Sequence, residues 1–279
     1  MRYLQWIVLA IFVVGLSPWT STARELFTTI AVPGARETLA YGINNRGQIV
    51  GIYSGGNSFV FSGGTFTRIG FPGAYTVAHG INDSGQIVGT IGSPFIGNAR
   101  GFSLDRGTFT TFDVPGANQT TASGINNGGE IVGTYFDEHS HGFVLDHGNF
   151  TRIDVPGAIE TAAYGINNRG QVVGSYADSL GYGHAFLLDR GTFSRIDAPG
   201  AAVETQAHGI NDRGQIVGLT DPTLGGYAFL LDRGSFSHIQ GPEPGTTFVF
   251  GINNNGEIVG DTFDFTALVD HAFVLLLGH

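Results

Sequence analysis

The sequence predicts an all-β fold class, a six-bladed β-propeller with four antiparallel strands per blade. Three observations lead there. A ten-residue phrase, Gly42-Ile43-Asn44-Asn45-Arg46-Gly47-Gln48-Ile49-Val50-Gly51, returns with small changes from Gly80, Gly124, Gly165, Gly209 and Gly251. Its mean period of about 42 residues is that of one supersecondary unit in a propeller or solenoid. Each unit divides into four short β-rich runs separated by glycine turns. Finally, Phe27-Thr28-Thr29-Ile30 reads as a fourth strand with no partners before it, and His271-Ala272-Phe273-Val274-Leu275 as a third strand with none after it. Pairing these two orphans closes a ring and removes the open edges. An open solenoid would want polar caps instead.

The fourth unit illustrates the elements in order. Thr161 to Asn167 is a strand of small residues, here strand a. Asn168-Arg169-Gly170 is a tight turn, because glycine takes positive φ freely and asparagine suits the position before it. Gln171 to Gly174 returns as strand b, and a variable loop, Ser175 to Gly183, follows. His184 to Leu188 is the apolar strand c, Asp189-Arg190-Gly191 a second glycine-closed turn, and Thr192 to Asp197 strand d. Pro199 lacks a donor N–H and marks the strand's end. The units also pair off three apart: Tyr41, His79 and Ser123 precede the first three Gly-Ile-Asn runs, and Tyr164, His208 and Phe250 the next three. A duplicated three-repeat block explains this, and it sets His79 opposite His208 and Tyr41 opposite Tyr164 in a six-fold ring.

Residues 1–23 read as a signal peptide: Arg2, then an apolar run from Trp6 to Val14, then Ser21 and Ala23 as small residues before a cut. That run is shorter than a bilayer span, and no second apolar stretch follows, so no membrane span is expected after cleavage. Residues 24–279 form one propeller domain, and the expected location is secreted or periplasmic. The chain has no cysteine, so packing and hydrogen bonds must hold it. All thirteen cations are arginine and the formal charge is −10, which argues against nucleic acid or an anionic membrane as partners. Forty-five glycines point to tight turns and closely spaced strands.

The strand order resembles that of the NHL-type propeller repeat, and on that likeness strand a is innermost. The triplets His184-Ala185-Phe186 and His271-Ala272-Phe273, beside Gly-Ile-Asn-Asp-x-Gly-Gln-Ile-Val-Gly, resemble the HAF family of bacterial extracellular repeat proteins over residues 24–279. The triplet is degenerate elsewhere, as at His141-Gly142-Phe143 and Tyr227-Ala228-Phe229. The resemblance implies export and a repeat fold. It implies no activity.

Positions identical in every unit read as structural. The asparagine of each Gly-Ile-Asn, Asn44 for example, is expected to bond its own turn. The threonines four residues before each glycine, from Thr38 to Thr247, open strand a beside Glu37, Glu160 and Glu204 at one mouth of the channel; the structural reading has the threonines bonding neighbouring blades and the glutamates solvated, the functional one a polar ring for a sugar, peptide or cation. Candidate ligand-binding residues are those three glutamates with Tyr41, His79, Tyr164 and His208, which break the six-fold pattern while keeping the two-fold one. No metal site and no cofactor are expected; the nearest to a metal site is Asp137, Glu138 and His139, on a loop where such side chains are commonly solvated. Catalytic signatures such as Gly-x-Ser-x-Gly, His-Glu-x-x-His and a Walker loop are absent from the sequence. The variable b–c loops share a face with the d–a connections, so binding is expected there. The reading is a secreted binding module for an extracellular glycan, a peptide or an envelope protein, more readily a binder than an enzyme. A hydrolase or lyase using loop-borne His, Tyr or Glu is the alternative, and a structural surface repeat the third.

Overall fold

The computed structural model describes residues 26–92, 99–221 and 226–277. The expected signal segment, 1–23, lies outside them. A lone strand, β1 (Leu26–Ile30), comes first. The first set of four is β2 (Thr38–Ile43), β3 (Ile49–Tyr53), β4 (Asn57–Ser62) and β5 (Thr65–Ile69); the second is β6 (Thr76–Ile81), β7 (Ile87–Ile91), β8 (Arg100–Asp105) and β9 (Thr108–Phe112). The third is β10 (Gln119–Ile125), β11 (Ile131–Phe136), β12 (Ser140–Asp146) and β13 (Asn149–Ile153); the fourth is β14 (Glu160–Ile166), β15 (Val172–Ala177), β16 (Gly183–Asp189) and β17 (Thr192–Ile196). The fifth is β18 (Thr205–Ile210), β19 (Ile216–Thr220), β20 (Ala228–Asp232) and β21 (Ser235–Ile239), and the chain closes with β22 (Thr246–Ile252), β23 (Glu257–Asp264) and β24 (Val269–Leu276).

Each set is an antiparallel meander. β1 supplies the missing outer strand of the last one, pairing antiparallel with β24 from Leu26↔Leu276 to Ile30↔Ala272. Phe27 meets Phe273 edge-on with ring centroids 5.6 Å apart. Four sets are separate four-stranded sheets; the first and last are joined through one parallel bridge, Thr38↔His271, into an eight-stranded mixed sheet. The sequence anticipates six separate sheets; the bridge exists because β2 and β24 run side by side at the seam. The architecture is a β-propeller of about six blades, shut where the two ends of the chain meet.

The core lies between blades rather than within them. Each apolar cluster takes residues from two neighbours; Val50 and Ile69 of the first blade, for instance, pack with Ala78, Ile87 and Phe102 of the second. The phenylalanine of each strand-c triplet is almost wholly buried: Phe59, Phe102, Phe143, Phe186, Phe229 and Phe273. That explains its persistence where the residues before it vary. Burial of one such side chain stabilises by about 1.5–3 kcal/mol. At the axis, a Cβ on Gly165 would lie 2.6 Å from the carbonyl oxygen of His208 in the next blade. The glycine of Gly-Ile-Asn is therefore fixed by close approach of the inner strands.

The turns agree closely with the sequence. Arg190 and Gly191 have φ of 48° and 79°, the two left-handed residues of a hairpin turn that matches strand twist. Asn44 Oδ1 accepts from the N–H groups of Arg46 and Gln48, both at 3.0 Å, so the asparagine does bond its own turn. The threonines take the structural role. Thr38 Oγ1 accepts from Val32 N–H at 3.1 Å and Thr161 Oγ1 from Val155 N–H at 3.1 Å, and both side chains are buried. They pin the d–a connections, which is the structural reading and not that of a polar ring open to the channel.

Candidate functional site

A repeated irregularity of strand a builds the axial channel. In β2 and β3, Leu39 pairs Ile52 and Ala40 pairs Gly51, but the next pair is Gly42 and Val50. Tyr41 is the extra residue of a β-bulge. The same shift occurs at His79, Ser123, Tyr164, His208 and Phe250. A bulge redirects one side chain, and here it turns one residue per blade toward its counterparts. Tyr41 contacts His79 with centroids 5.4 Å apart and Phe250 at 5.2 Å; Phe250 contacts His208 at 5.4 Å; His208 stacks on Tyr164 at 4.9 Å and 8°. The four aromatic candidates thus come together as one belt, completed by Phe250 and by the small Ser123. They form a mutually packed floor rather than a polar pocket.

Burial governs the chemistry of this belt. It pushes His79 and His208 down to about 4, so both rings are neutral at pH 7. It also raises the Tyr164 hydroxyl, which shares a 3.3 Å hydrogen bond with Ser175 Oγ. His208 connects to the loop face: its Nε2 donates to Gln206 Oε1 at 3.0 Å, and Gln206 Nε2 donates to Glu204 at 2.6 Å. Glu204 is therefore joined to the belt by a line of side chains along β18. Glu160 is exposed at the start of β14, and Glu37 is partly buried just before β2.

The loop face carries a second pattern. His184 Nδ1 faces Asp197 at 2.8 Å, and its Nε2 faces Asp178 at 3.3 Å. Arg195 also bonds Asp197, and Tyr176 lies 5.2 Å from the imidazole. One blade earlier, His141 Nδ1 faces Asp154 at 2.8 Å and its Nε2 faces Asp137 at 3.3 Å, with Arg152 on Asp154 and Tyr135 at 5.1 Å. The triplet histidine is the hub of an Asp-His-Asp-Arg cluster built twice. Asp137 also accepts the N–H groups of Glu138 and His139, whose side chains are exposed. The three metal-capable side chains of that loop do not converge: Asp137 turns to His141, and among the described residues no three His, Asp or Glu side chains gather closely enough to hold a metal ion.

Between the fourth and fifth blades this pattern opens into a cleft of about 330 Å³, lined by Asp178, Tyr182, His184, Arg195, Asp197 and Glu204 among others. Tyr182 is 48% exposed at its rim. Its far wall is held by Asp221, whose carboxylate accepts from the N–H groups of Ala202, Val203 and Glu204 at 2.7, 2.8 and 2.9 Å. Burial works against the Asp221 charge, yet these three bonds hold its carboxyl below the usual range.

A third feature has no counterpart among the sequence candidates. Asp261 of β23 is 1% exposed, and its Oδ1 has no hydrogen-bond partner. Burial, followed by the charge and hydrogen bond of Asp270, raises the Asp261 carboxyl far above its ordinary range, so it holds a proton that it donates to Asp270. Tyr41 lies nearby; burial and then the charge of Asp261 push its hydroxyl up strongly. Aligning the units shows the signal: Ile52, Thr90, Thr134, Ser175 and Leu219 occupy the place of Asp261 in the other blades.

The opposite face is regular. Each Gly-Ile-Asn asparagine donates its amide to the backbone carbonyl of the equivalent asparagine one unit on, Asn44 to Asn82 and round to Asn253 to Asn44, at 2.9–3.1 Å. The next residue makes a second circle, its N–H bonding Oδ1 of Asp83, Asn127, Asn168, Asp212, Asn254 and Asn45 in turn at 2.7–2.8 Å. These rings surround an axial space of about 70 Å³.

Comparison with family models and with curated protein sequences finds no match. Solved structures do match. The chain is similar to virginiamycin B lyase from Staphylococcus aureus (TM-score 0.53, 10% identity, 91% of this chain and 99% of that one). It is similar to a gluconolactonase from Xanthomonas campestris (0.56, 12%, 91% and 90%) and to TolB from Acinetobacter baumannii (0.59, 14%, 89% and 66%). The shared feature is the fold. The chain is an all-β propeller. The named proteins differ from one another in what they do, so the activity of this propeller has to be argued from its own side chains.

Proposed function

We propose that this propeller is an exported binding module whose loop face receives an extracellular glycan. The observation that carries the reading is the cleft between the fourth and fifth blades. It has the volume of a small sugar unit, an exposed tyrosine at the rim, and charged planar groups on both walls: Arg195 with Asp197 and Asp178 on one, Glu204 on the other. Sugar hydroxyls both donate and accept, and ionised side chains make their stronger hydrogen bonds. An aromatic ring covers the apolar face of a pyranose. The repetition of the histidine cluster at His141 suits a polymer with repeated units. The HAF-like triplets and the expected signal peptide support export. Peptides and envelope proteins are competing ligands for the same face.

A glycan array probed with the purified protein tests this, followed by calorimetry on the strongest hit. Tyr182→Ala and Arg195→Ala should each weaken binding about tenfold or more, the cost of one lost contact of about 1.4 kcal/mol or above. Silence across the array with binding to a peptide library would replace the glycan. Release of shortened polymer from the bound glycan would replace the binder by the hydrolase or lyase reading.

A further inference from the structure

The seam between the last blade and the first holds the buried Asp261 Oδ1, unpartnered among the described residues, with Asp270 on the paired strand and Tyr41 close enough to feel its charge. Asp270, on the adjacent strand β24, is partly exposed and carries the site to the loop face. Glu37 precedes β2, Tyr41 stands in its bulge, and Tyr75, 45% exposed, precedes β6. Further out, His271 lies 3.9 Å from Glu243 and close enough to Asp270 and Asp264 to act on their charge. Among the described residues no arginine forms an ion pair with Asp261, Asp270 or Glu37. Two carboxyl groups in contact without a cation must share a proton.

We propose that this seam binds a primary ammonium group, received by the carboxylates of Asp261 and Asp270, with Glu37 at the rim. An ammonium has three donors and no acceptor. That matches a site made of acceptors, one of them an oxygen with nothing to accept. A divalent ion fits less well, since no three carboxylate or imidazole groups among the described residues gather closely enough to ligate it. Binding displaces the proton shared by the pair: the cation takes its place, Asp261 becomes a carboxylate, and the proton leaves to solvent. Affinity therefore rises with pH until Asp261 ionises unaided. Two sources present this group, an amino sugar and a lysine side chain.

The proposal is separate from the sugar cleft and is tested by calorimetry on the intact protein with three probes: glucosamine, N-acetylglucosamine and Nα-acetyl-lysine methylamide. Glucosamine or the lysine amide should bind, with N-acetylglucosamine at least about tenfold weaker. Binding by one amine alone names the source. Titrations in two buffers of different ionisation enthalpy should show close to one proton released per ligand. Asp261→Asn and Asp270→Asn should each lower the affinity about tenfold or more, with melting curves confirming that both variants fold. Arg195→Ala, in the distant cleft, should leave amine binding unchanged while it weakens the glycan. Equal binding of all three probes, wild-type affinity in both variants, or the absence of proton release would overturn the proposal.

Discussion

The two faces of the ring use the same repeat in opposite ways. On the a–b turn face every asparagine amide finds a carbonyl in the next blade, and two circles of hydrogen bonds close without a gap. On the loop face each blade differs, and polar atoms are left over: Thr90 Oγ1, Thr134 Oγ1, Asp261 Oδ1 and Thr262 Oγ1 are buried without partners. An unsatisfied buried polar group costs about 1–3 kcal/mol. The turn face is complete within the ring, whereas the loop face keeps polar atoms without partners among the described residues.

The largest expected effect breaks the closure that both faces depend on. Deleting residues 24–35 removes β1, with buried Ile30 and the Phe27–Phe273 contact. Loss of roughly 4 kcal/mol of apolar burial should lower Tm by about 10 °C and expose β24 to intermolecular pairing, seen as oligomers in light scattering. A monomer with unchanged Tm would sink the closure argument. Next comes the turn face. Asn167→Ala removes three bonds within its turn and one to Asn211, and should cost about 3 kcal/mol in urea denaturation. A cost below about 1 kcal/mol would mean the circles contribute little.

The loop face should respond to pH instead. Folding lowers His79 and His208 to about 4 from an ordinary value of 6.5. The unfolded chain then binds more protons between those values, so stability falls as pH drops from about 6.5 toward 4 and levels below. The loss should reach about 2 kcal/mol per histidine, allowing for the partial exposure of each residue, and His208→Phe should flatten its share of the slope. Asp261 has the opposite sign. Its folded value is raised, so its contribution is full below the unfolded carboxylate range and is lost as pH climbs toward the folded value. Asp261→Asn should therefore be more stable than wild type at pH 7, by about 1–2 kcal/mol, while losing the amine site. A variant less stable at neutral pH would contradict the buried-acid account. Smallest of all is Glu130→Gln. Asn126 donates to Glu130 as Asn44 donates to Gln48, so stability should change by under about 0.5 kcal/mol.

Much of this contrast was legible in the residues. Turn glycines, hairpin loops and the shared last blade arise from local chemistry repeated at a fixed period, and the chain alone carries that. Tyr41, His79, Tyr164 and His208 stood out because they break the period, and the belt contains all four. Their mode of meeting was not legible. It depends on a bulge, and an unpaired residue in strand a reverses the facing of the residues after it. The threonines show the reach of the period: identity in every unit marks them as structural, and only the pairing shows which backbone N–H each one holds. Asp261 is not marked by spacing, because its partner, Asp270, is brought close by the hairpin of β23 and β24. A column of aligned units with one acid among Ile52, Thr90, Thr134, Ser175 and Leu219 would have marked it.

The asparagine circle bears on how the gene for such a chain could be rearranged. The Asn253-to-Asn44 bond, which spans the seam, is 2.9 Å long, like its five counterparts within the continuous chain. Leu276 and Leu26 end up opposite each other as Asp189 and Thr192 do across a two-residue turn. A short turn from Leu276 to Leu26, with new ends opened in another c–d hairpin, should give a circular permutant of residues 26–276 that the inner ring cannot distinguish from the original.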